Sequence, residues 1–124
     1  MECIKERKLF INIDHHASNT RYGDLNWIAA REPSTGELIF RLLKAANWPI
    51  TPAISDCLFT AVSTDTGSFH YSSISPRTFD ICRQCVEAGV DPPGVARSIE
   101  MLLAPEDLPV LCHPEPVKSS VQRY

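Results

Sequence analysis

Strand-like sequence is confined to two short segments near the start of this chain. Residues 8–13, KLFINI, are rich in large apolar side chains and predict a short buried strand. Residues 25–29, LNWIA, predict a second short strand after a loop that contains Ser, Asn, Thr and Gly. A sheet normally needs more than two strands to be stable. We therefore expect part of an α/β layer whose other strands lie outside this sequence.

Helix-start signals divide the rest of the chain. STGE at 34–37 has the pattern of a capping box, with Ser34 at the N-cap and Glu37 at N3. Three further N-cap and N1 pairs follow at Thr51-Pro52, Ser75-Pro76 and Asp91-Pro92. The predicted fold class is α/β, with one or two N-terminal strands followed by about four helices.

Apolar spacing predicts the inner face of each helix. The second helix is apolar on most sides, which indicates a central position. On the third helix, the residues expected to face inward are Phe79, Cys82, Cys85, Val86 and Ala88. On the fourth helix, they are Val95, Ile99 and Leu102. Residues 105–124 hold four prolines without a period and predict an irregular tail.

Composition excludes some classes of function. A net charge of −3 over 124 residues gives no broad surface for duplex DNA, although one pocket is enough for a small or single-stranded phosphate. The charged N-terminus lacks a signal-peptide core, and no apolar run approaches the roughly 20 residues of a membrane span. Five cysteines, an odd number, indicate reduced thiols. We expect a cytoplasmic protein without a membrane partner.

An Asp-His-His sequence follows the first predicted strand directly. On an extended backbone His15 and His16 point to opposite sides, so that one can bind a metal while the other faces a substrate. Asp14 can accept the remaining ring N–H of a metal-binding histidine and select its tautomer. Imidazole with carboxylate suits Mn, Zn, Fe or Mg-like chemistry. The alternative is a solvated strand end without a function.

The segment TDTGSFHY at 64–71 holds a second group of candidates. Asp65 follows a mostly apolar helix, and a carboxylate near a core edge needs a partner such as a metal. Gly67 permits a tight turn or a close approach to a ligand. The alternative is an ordinary turn at the end of a helix. Arg21 and His70 lie in loops and are weaker candidates for binding a substrate phosphate.

Cys82 and Cys85 have the spacing of a metal or redox motif. Both are expected on the inner face of a helix, and the sequence offers no second cysteine pair to complete a zinc site. Buried core cysteines are therefore the favoured interpretation, and a Cys/His metal-binding module would require both thiols to be exposed.

Four segments together resemble the DHH phosphoesterase superfamily. They are IDHHASNTRYGDLNWI, STGELIFRLL, ISDCLFTAVSTDTGSFHYSSISPRTF and AGVDPPGVARSI, and the likeness runs over residues 9–100. Within the superfamily, the chain is most similar to the bacterial oligoribonucleases that also remove the 3′-phosphate of phosphoadenosine phosphate (PAP).

The resemblance implies a metal-dependent phosphoesterase. Members use two divalent cations, usually Mn²⁺, to activate a water that attacks phosphorus. By position, His15 matches a ligand of one metal and Asp65 matches the aspartate that bridges both. His16 matches the histidine that faces the phosphate, and Asp14 matches the carboxylate behind the metal ligand. The implied substrates are short single-stranded oligonucleotides or nucleotide phosphates.

The sequence also departs from the superfamily. Two metal-binding motifs expected upstream, and the C-terminal substrate-binding domain, have no match. We interpret residues 1–104 as the C-terminal part of a DHH catalytic domain, residues 105–124 as an irregular tail, and the chain as an internal piece with little or no activity alone. The alternative function is an inactive module that binds a partner, either a second copy or the missing domain.

Overall fold

The computed structural model describes residues 8–102. β1 (Ile11–Asp14) and β2 (Leu25–Ile28) pair in parallel, with Ile11 opposite Leu25 and Asp14 opposite Ile28. Four helices follow: α1 (Thr35–Ala45), α2 (Pro52–Asp65), α3 (Pro76–Glu87) and α4 (Pro92–Leu102). The predicted α/β class is confirmed, while the predicted tail at 105–124 lies outside the described residues. None of the described helices combines the length and the apolar character that crossing a membrane requires.

The helices begin where the sequence predicts. Thr51 Oγ1 accepts the N–H of Ile54 at 3.3 Å, which caps α2. At the start of α3 the Ser75 N–H donates to Thr78 Oγ1 at 3.1 Å. Gly89 adopts a φ of +109° just after α3 and allows the chain to leave the helix.

The core is built around α2, which packs against α1, α3 and α4. It consists of the apolar side chains Phe40, Leu58, Phe59, Val62, Ile81, Cys82, Cys85 and Val90. Helix α1 contacts both β1 and α2 and so connects the sheet to the helical core. This arrangement brings the end of β1 to the end of α2.

The predicted inner faces of α3 and α4 are partly wrong. Phe79 is 57% exposed and stacks on Phe69 with ring centroids 5.8 Å apart, while Ile81 takes the buried position. Val86 is 44% exposed. Helix α4 has no buried residue, and Leu102 is 77% exposed. Helix α4 therefore lies on the core without entering it.

Cys82 and Cys85 are buried, as the core interpretation predicts. Burial raises the pKa of the Cys82 thiol to about 11, and it also raises the pKa of Cys85. A thiol must lose its proton to bind a metal, so burial opposes binding at this pair. The alternative of a Cys/His metal-binding module is contradicted, because it requires exposed thiols.

The predicted capping box at 34–37 does not form. Ser34 Oγ accepts the N–H of Gly36 at 2.9 Å, and Glu37 is fully buried instead of reaching back to the N-cap. Neither carboxylate oxygen of Glu37 has a hydrogen-bond partner among residues 8–102. Burial raises the pKa of Glu37 above the ordinary glutamate value.

Glu37 is expected to make folding pH-dependent. The pKa of the Glu37 carboxyl is higher in the folded chain than in the unfolded chain, so this carboxyl favours folding most at a pH where it is protonated in both states. The stabilisation is lost as the pH rises from the ordinary glutamate pKa of 4.5 through the raised pKa of the folded chain. Between about pH 5 and about pH 8 the free energy of unfolding should therefore fall more in the wild-type chain than in Glu37→Gln. Urea denaturation at both pH values measures this difference, and Glu100→Gln, at an exposed position, is the control. Equal pH dependence in wild type and Glu37→Gln would show that Glu37 titrates normally.

Candidate metal and phosphate site

The Asp-His-His sequence forms a turn at the end of β1. The Asp14 Oδ1 atom accepts the backbone N–H of His15 at 2.7 Å and that of His16 at 3.1 Å. The expectation that the two rings point to opposite sides assumed an extended backbone. Because the chain turns here, the rings lie side by side with centroids 4.4 Å apart.

Asp14 holds the ring of His16, not that of His15. The His16 Nδ1 and Asp14 Oδ1 atoms are 2.7 Å apart, and the His16 side chain is 67% exposed. A carboxylate partner on Nδ1 leaves Nε2 of His16 free for other groups. The geometry therefore assigns the carboxylate to the histidine that was expected to face the phosphate.

Asn19 is a site residue that the sequence analysis missed. Its Nδ2 donates to Asp14 Oδ2 at 2.6 Å, and its Oδ1 accepts from Asn12 Nδ2 at 2.8 Å. Hydrogen bonds from Asn19 and His16 hold the pKa of Asp14 well below its usual range. Asn12 was the sequence feature that could have indicated Asn19, because the amide of an asparagine within a buried strand needs hydrogen-bond partners.

His15 and Asp65 meet across the gap between β1 and α2. The His15 Nε2 and Asp65 Oδ2 atoms are 3.4 Å apart, and the two side chains are 16% and 34% exposed. Ligands that bind one ion at about 2.1 Å, with angles of about 90–110° between them, lie about 3.0–3.4 Å apart. The pair thus has the spacing of two ligands of one cation, and imidazole with carboxylate fits the divalent metals expected from the sequence.

The position of Asp65 adds negative potential to the pair. Asp65 is the last residue of α2, where the unpaired carbonyl groups of a helix carry partial negative charge. No basic residue lies in the last turn of α2 to offset it. A carboxylate at this end of a helix is unfavourable unless a positive group lies nearby. A cation held between the two side chains would supply that charge.

The Asp-Thr-Gly-Ser-Phe segment forms a left-handed turn directly after α2. Gly67, Ser68 and Phe69 have φ values of +56°, +53° and +66°. The buried Thr66 hydroxyl supports the turn by accepting the N–H of Phe69 at 3.2 Å. A Cβ atom on Gly67 would lie 2.6 Å from the ring of Tyr71. Gly67 therefore permits both the turn and this close ring packing, while its contact with a substrate stays a prediction.

Two further predicted residues lie outside the His15–Asp65 pair. Arg21 is exposed, and its backbone N–H donates to Asn19 Oδ1 at 2.8 Å. His70 is exposed, with Nδ1 at 2.7 Å from the carbonyl oxygen of Gly67. Their roles in binding a substrate stay predictions.

Comparison with known proteins tests the resemblance. No family model matches the chain. It is 29% identical over 80 residues to the bifunctional oligoribonuclease and PAP phosphatase NrnA of Thermus thermophilus, covering 64% of this chain and 25% of that protein. It is 25% identical over 80 residues to the protein of the same name from Bacillus subtilis, covering 62% of this chain and 26% of that protein.

A solved structure supports the same relationship. The chain superimposes on an exopolyphosphatase-related protein from Bacteroides fragilis with a TM-score of 0.68 and 28% identity, covering 72% of this chain and 27% of the other. The fold is thus an α/β arrangement similar to part of that protein. The resemblance to the DHH-family phosphoesterases is confirmed. It spans about a quarter of the length of the curated relatives that it matches.

Asn19 is expected to control the protonation of Asp14. Asn19→Ala removes the shortest hydrogen bond to Asp14 Oδ2, so the pKa of Asp14 should rise towards the ordinary aspartate value. Carboxyl ¹³C NMR across an acid titration measures that pKa. Asn26→Ala is the matched control, because Asn26 bonds to Asn12 and Gly23 and not to Asp14. An unchanged pKa in Asn19→Ala would assign the shift to the hydrogen bonds from His15 and His16 instead.

Proposed function

We propose that this chain carries part of the active site of a metal-dependent phosphoesterase. The observation that carries the proposal is the 3.4 Å separation between His15 Nε2 and Asp65 Oδ2, which joins the Asp-His-His and Asp-Thr-Gly segments. The relatives are named as an oligoribonuclease and PAP phosphatase and as an exopolyphosphatase-related protein, so each name refers to phosphate chemistry.

The proposed roles follow from the geometry. His15 and Asp65 would hold a divalent cation, with Mn²⁺ as the expected ion and two ions in the complete enzyme. Such ions, when bound, polarise phosphoryl oxygens and lower the pKa of a bound water. His16 would contact the phosphate through Nε2, while Asp14 fixes the ring through Nδ1 at 2.7 Å. Asn19 in turn fixes Asp14 through the 2.6 Å hydrogen bond.

The proposed substrates are short single-stranded oligonucleotides or nucleotide phosphates. Arg21 and His70 are exposed polar groups that can contact phosphate or ribose, and Gly67 is the third proposed substrate contact. The net charge of −3 gives no extended basic surface, which favours a short substrate over duplex DNA.

The His15–Asp65 pair alone is a sparse ligand set for catalysis. Among residues 8–102, the other clustered metal-type ligands are Asp14 and His16, and Asp14 already accepts four hydrogen bonds. A two-metal site needs more protein ligands than this pair supplies. We therefore propose that the chain by itself binds metal weakly and has little or no phosphodiesterase activity.

Metal binding tests the proposed site directly. Calorimetric titration of the chain with Mn²⁺ should show weak binding that is lowered at least about tenfold in His15→Ala and in Asp65→Asn, because each change removes one ligand. His70→Ala removes an exposed imidazole outside the pair and should leave the affinity unchanged. If His15→Ala and Asp65→Asn bind Mn²⁺ as tightly as the wild-type chain, the proposed metal site is wrong.

A second candidate function is an inactive module that binds another polypeptide. Leu9, Ile11 and Leu25 at the sheet are 51%, 53% and 55% exposed, although parallel strands are normally covered on both faces. A groove of about 490 Å³ between α1 and α2 is also lined mainly by apolar side chains. Exposed apolar surface next to a two-stranded sheet favours a partner that covers it.

Self-association through the sheet tests this second function. If a second copy covers the sheet, light scattering should detect a dimer that grows with concentration and is lost in Ile11→Lys. Leu102→Lys places the same charge at an exposed position on α4 and should not change the mass. A wild-type chain that stays monomeric at every concentration would contradict association of two copies.

A further inference from the structure

The loop between β2 and α1 brings Glu32 next to the proposed metal ligand. The Ala29 N–H donates to the carbonyl oxygen of Asp14 at 2.9 Å, and the Glu32 N–H donates to the carbonyl oxygen of Ala29 at 2.9 Å. These hydrogen bonds place the main chain of Glu32 beside the Asp-His-His turn, where its carbonyl oxygen lies 3.3 Å from His15 Nδ1. A group that pairs with the Glu32 side chain is therefore only one residue away from His15.

Two arginines from different helices share the Glu32 carboxylate. Arg41 of α1 donates from Nη1 to Oε1 at 2.9 Å, and Arg77 of α3 donates from Nη1 to Oε1 and Oε2 at 3.1 and 3.2 Å. The guanidinium of Arg41 also lies over the ring of Trp27 in β2, 5.5 Å from the ring centroid. We call Arg41 and Arg77 the arginine pair. Tertiary contacts thus hold both guanidinium groups at the edge of the proposed site.

The arginine pair carries more positive charge than its partner neutralises. Two guanidinium groups face one carboxylate, which leaves an excess of one positive charge. Arg31, the neighbour of Glu32 in sequence, is exposed and adds to this charge. The carboxyl of Glu37 also interacts with both arginines, but burial raises its pKa and so opposes its negative form. An anion near His15 would therefore meet positive charge.

Both arginines of the pair have donors left for a ligand. Within residues 8–102, only Nη1 of each guanidinium is hydrogen-bonded, and the edge formed by Nε–H and Nη2–H has no partner. This edge offers two parallel N–H groups, which match two oxygens of a phosphate. The side chains of Arg41 and Arg77 are 43% and 53% exposed, so a ligand can reach them from solvent.

Arg83, an exposed arginine on α3, shows the opposite arrangement. Its Nε, Nη1 and Nη2 atoms all donate to the carboxylates of Asp80 and Glu87, so two negative groups surround one positive group. An anion would find neither excess positive charge nor an unused guanidinium edge there. The excess charge and unused donors are therefore particular to the arginine pair and are not general features of the helix surfaces.

We propose that the arginine pair binds a second phosphate group of the substrate. One phosphate would lie at the cation between His15 and Asp65, and the neighbouring phosphate would accept hydrogen bonds from Arg41 and Arg77. The favoured substrates are then nucleotides with at least two phosphate groups, and a nucleotide with a single phosphate binds less tightly. The place of the first phosphate rests on the proposed function, whereas anion binding by the arginine pair is a property of the metal-free chain.

Binding to the arginine pair is measured without any metal. Two-dimensional ¹⁵N–¹H NMR resolves the Nε–H groups of arginine side chains, and the ligand is adenosine 3′,5′-bisphosphate at low ionic strength with EDTA present. The Nε–H signals of Arg41 and Arg77 should shift as the ligand is added, while the signal of Arg83 should not. Added salt should reverse the shifts, because it screens charges that are exposed to solvent.

The preference for a second phosphate is measured by calorimetry in Mn²⁺. The wild-type chain should bind the bisphosphate at least about tenfold more tightly than adenosine 3′-monophosphate or adenosine 5′-monophosphate, because only the bisphosphate gains charge-assisted hydrogen bonds at the arginine pair. The double variant Arg41→Gln/Arg77→Gln should bind all three ligands about equally. Arg83→Gln is the matched control and should keep the preference. Circular dichroism shows whether each variant is folded.

The possible outcomes distinguish this inference from the proposed function. Unmoved signals of Arg41 and Arg77 in the metal-free wild-type chain, a measurement that needs no variant, would overturn the inference. An equal preference for the bisphosphate in the wild-type chain and the folded double variant would also overturn it. If the arginine signals shift but the chain binds no Mn²⁺ at His15, the anion site stands and the proposed function fails.

Discussion

The packing of α1 between β1 and α2 is the constraint on which the site depends. His15 follows a strand and Asp65 ends a helix, and no direct chain connection brings them together. Helix α1 contacts both elements, and its Leu38 side chain is completely buried. Because α1 sets the distance between the sheet and the core, it also sets the 3.4 Å separation between His15 Nε2 and Asp65 Oδ2.

Polar contacts hold the Asp14 carboxylate and the His15 ring. Asn19 and His16 bond the Asp14 carboxylate, and the Glu32 carbonyl meets Nδ1 of His15. Surface ion pairs such as those of Glu32 contribute only about 0–1 kcal/mol to stability. The ion pairs of Glu32 with Arg41 and Arg77 therefore fix the position of the loop beside His15 more than they add to stability.

The starts of the helices were predicted well, because they depend on interactions between residues that are close in sequence. Thr51 and Ser75 mark helix starts through side-chain and backbone groups that are close in sequence, and both helices begin there. Glu37 shows the limit of such reasoning. A local capping bond was available to it, but the packing of α1 against the rest of the core buried its carboxyl instead.

The site was predictable only in part. Asp14, His15, His16 and Asp65 were identified by residue type and by resemblance, but their spacing in sequence says nothing about a distance of 3.4 Å. The contact between Glu32 and Arg77 spans 45 residues and depends wholly on tertiary packing. The exposure of Phe79 was missed for a similar reason, since its ring stacks on Phe69 outside the core.

The most direct test of the central claim is the location of a bound ion. Crystals of the chain soaked in Mn²⁺ and measured at the manganese absorption edge give an anomalous difference map that shows manganese alone among the expected ions. We predict a peak within about 2.0–2.3 Å of both His15 Nε2 and an Asp65 carboxylate oxygen. A peak beside Asp14 and His16 with none at Asp65, or no peak at a saturating concentration, would contradict it.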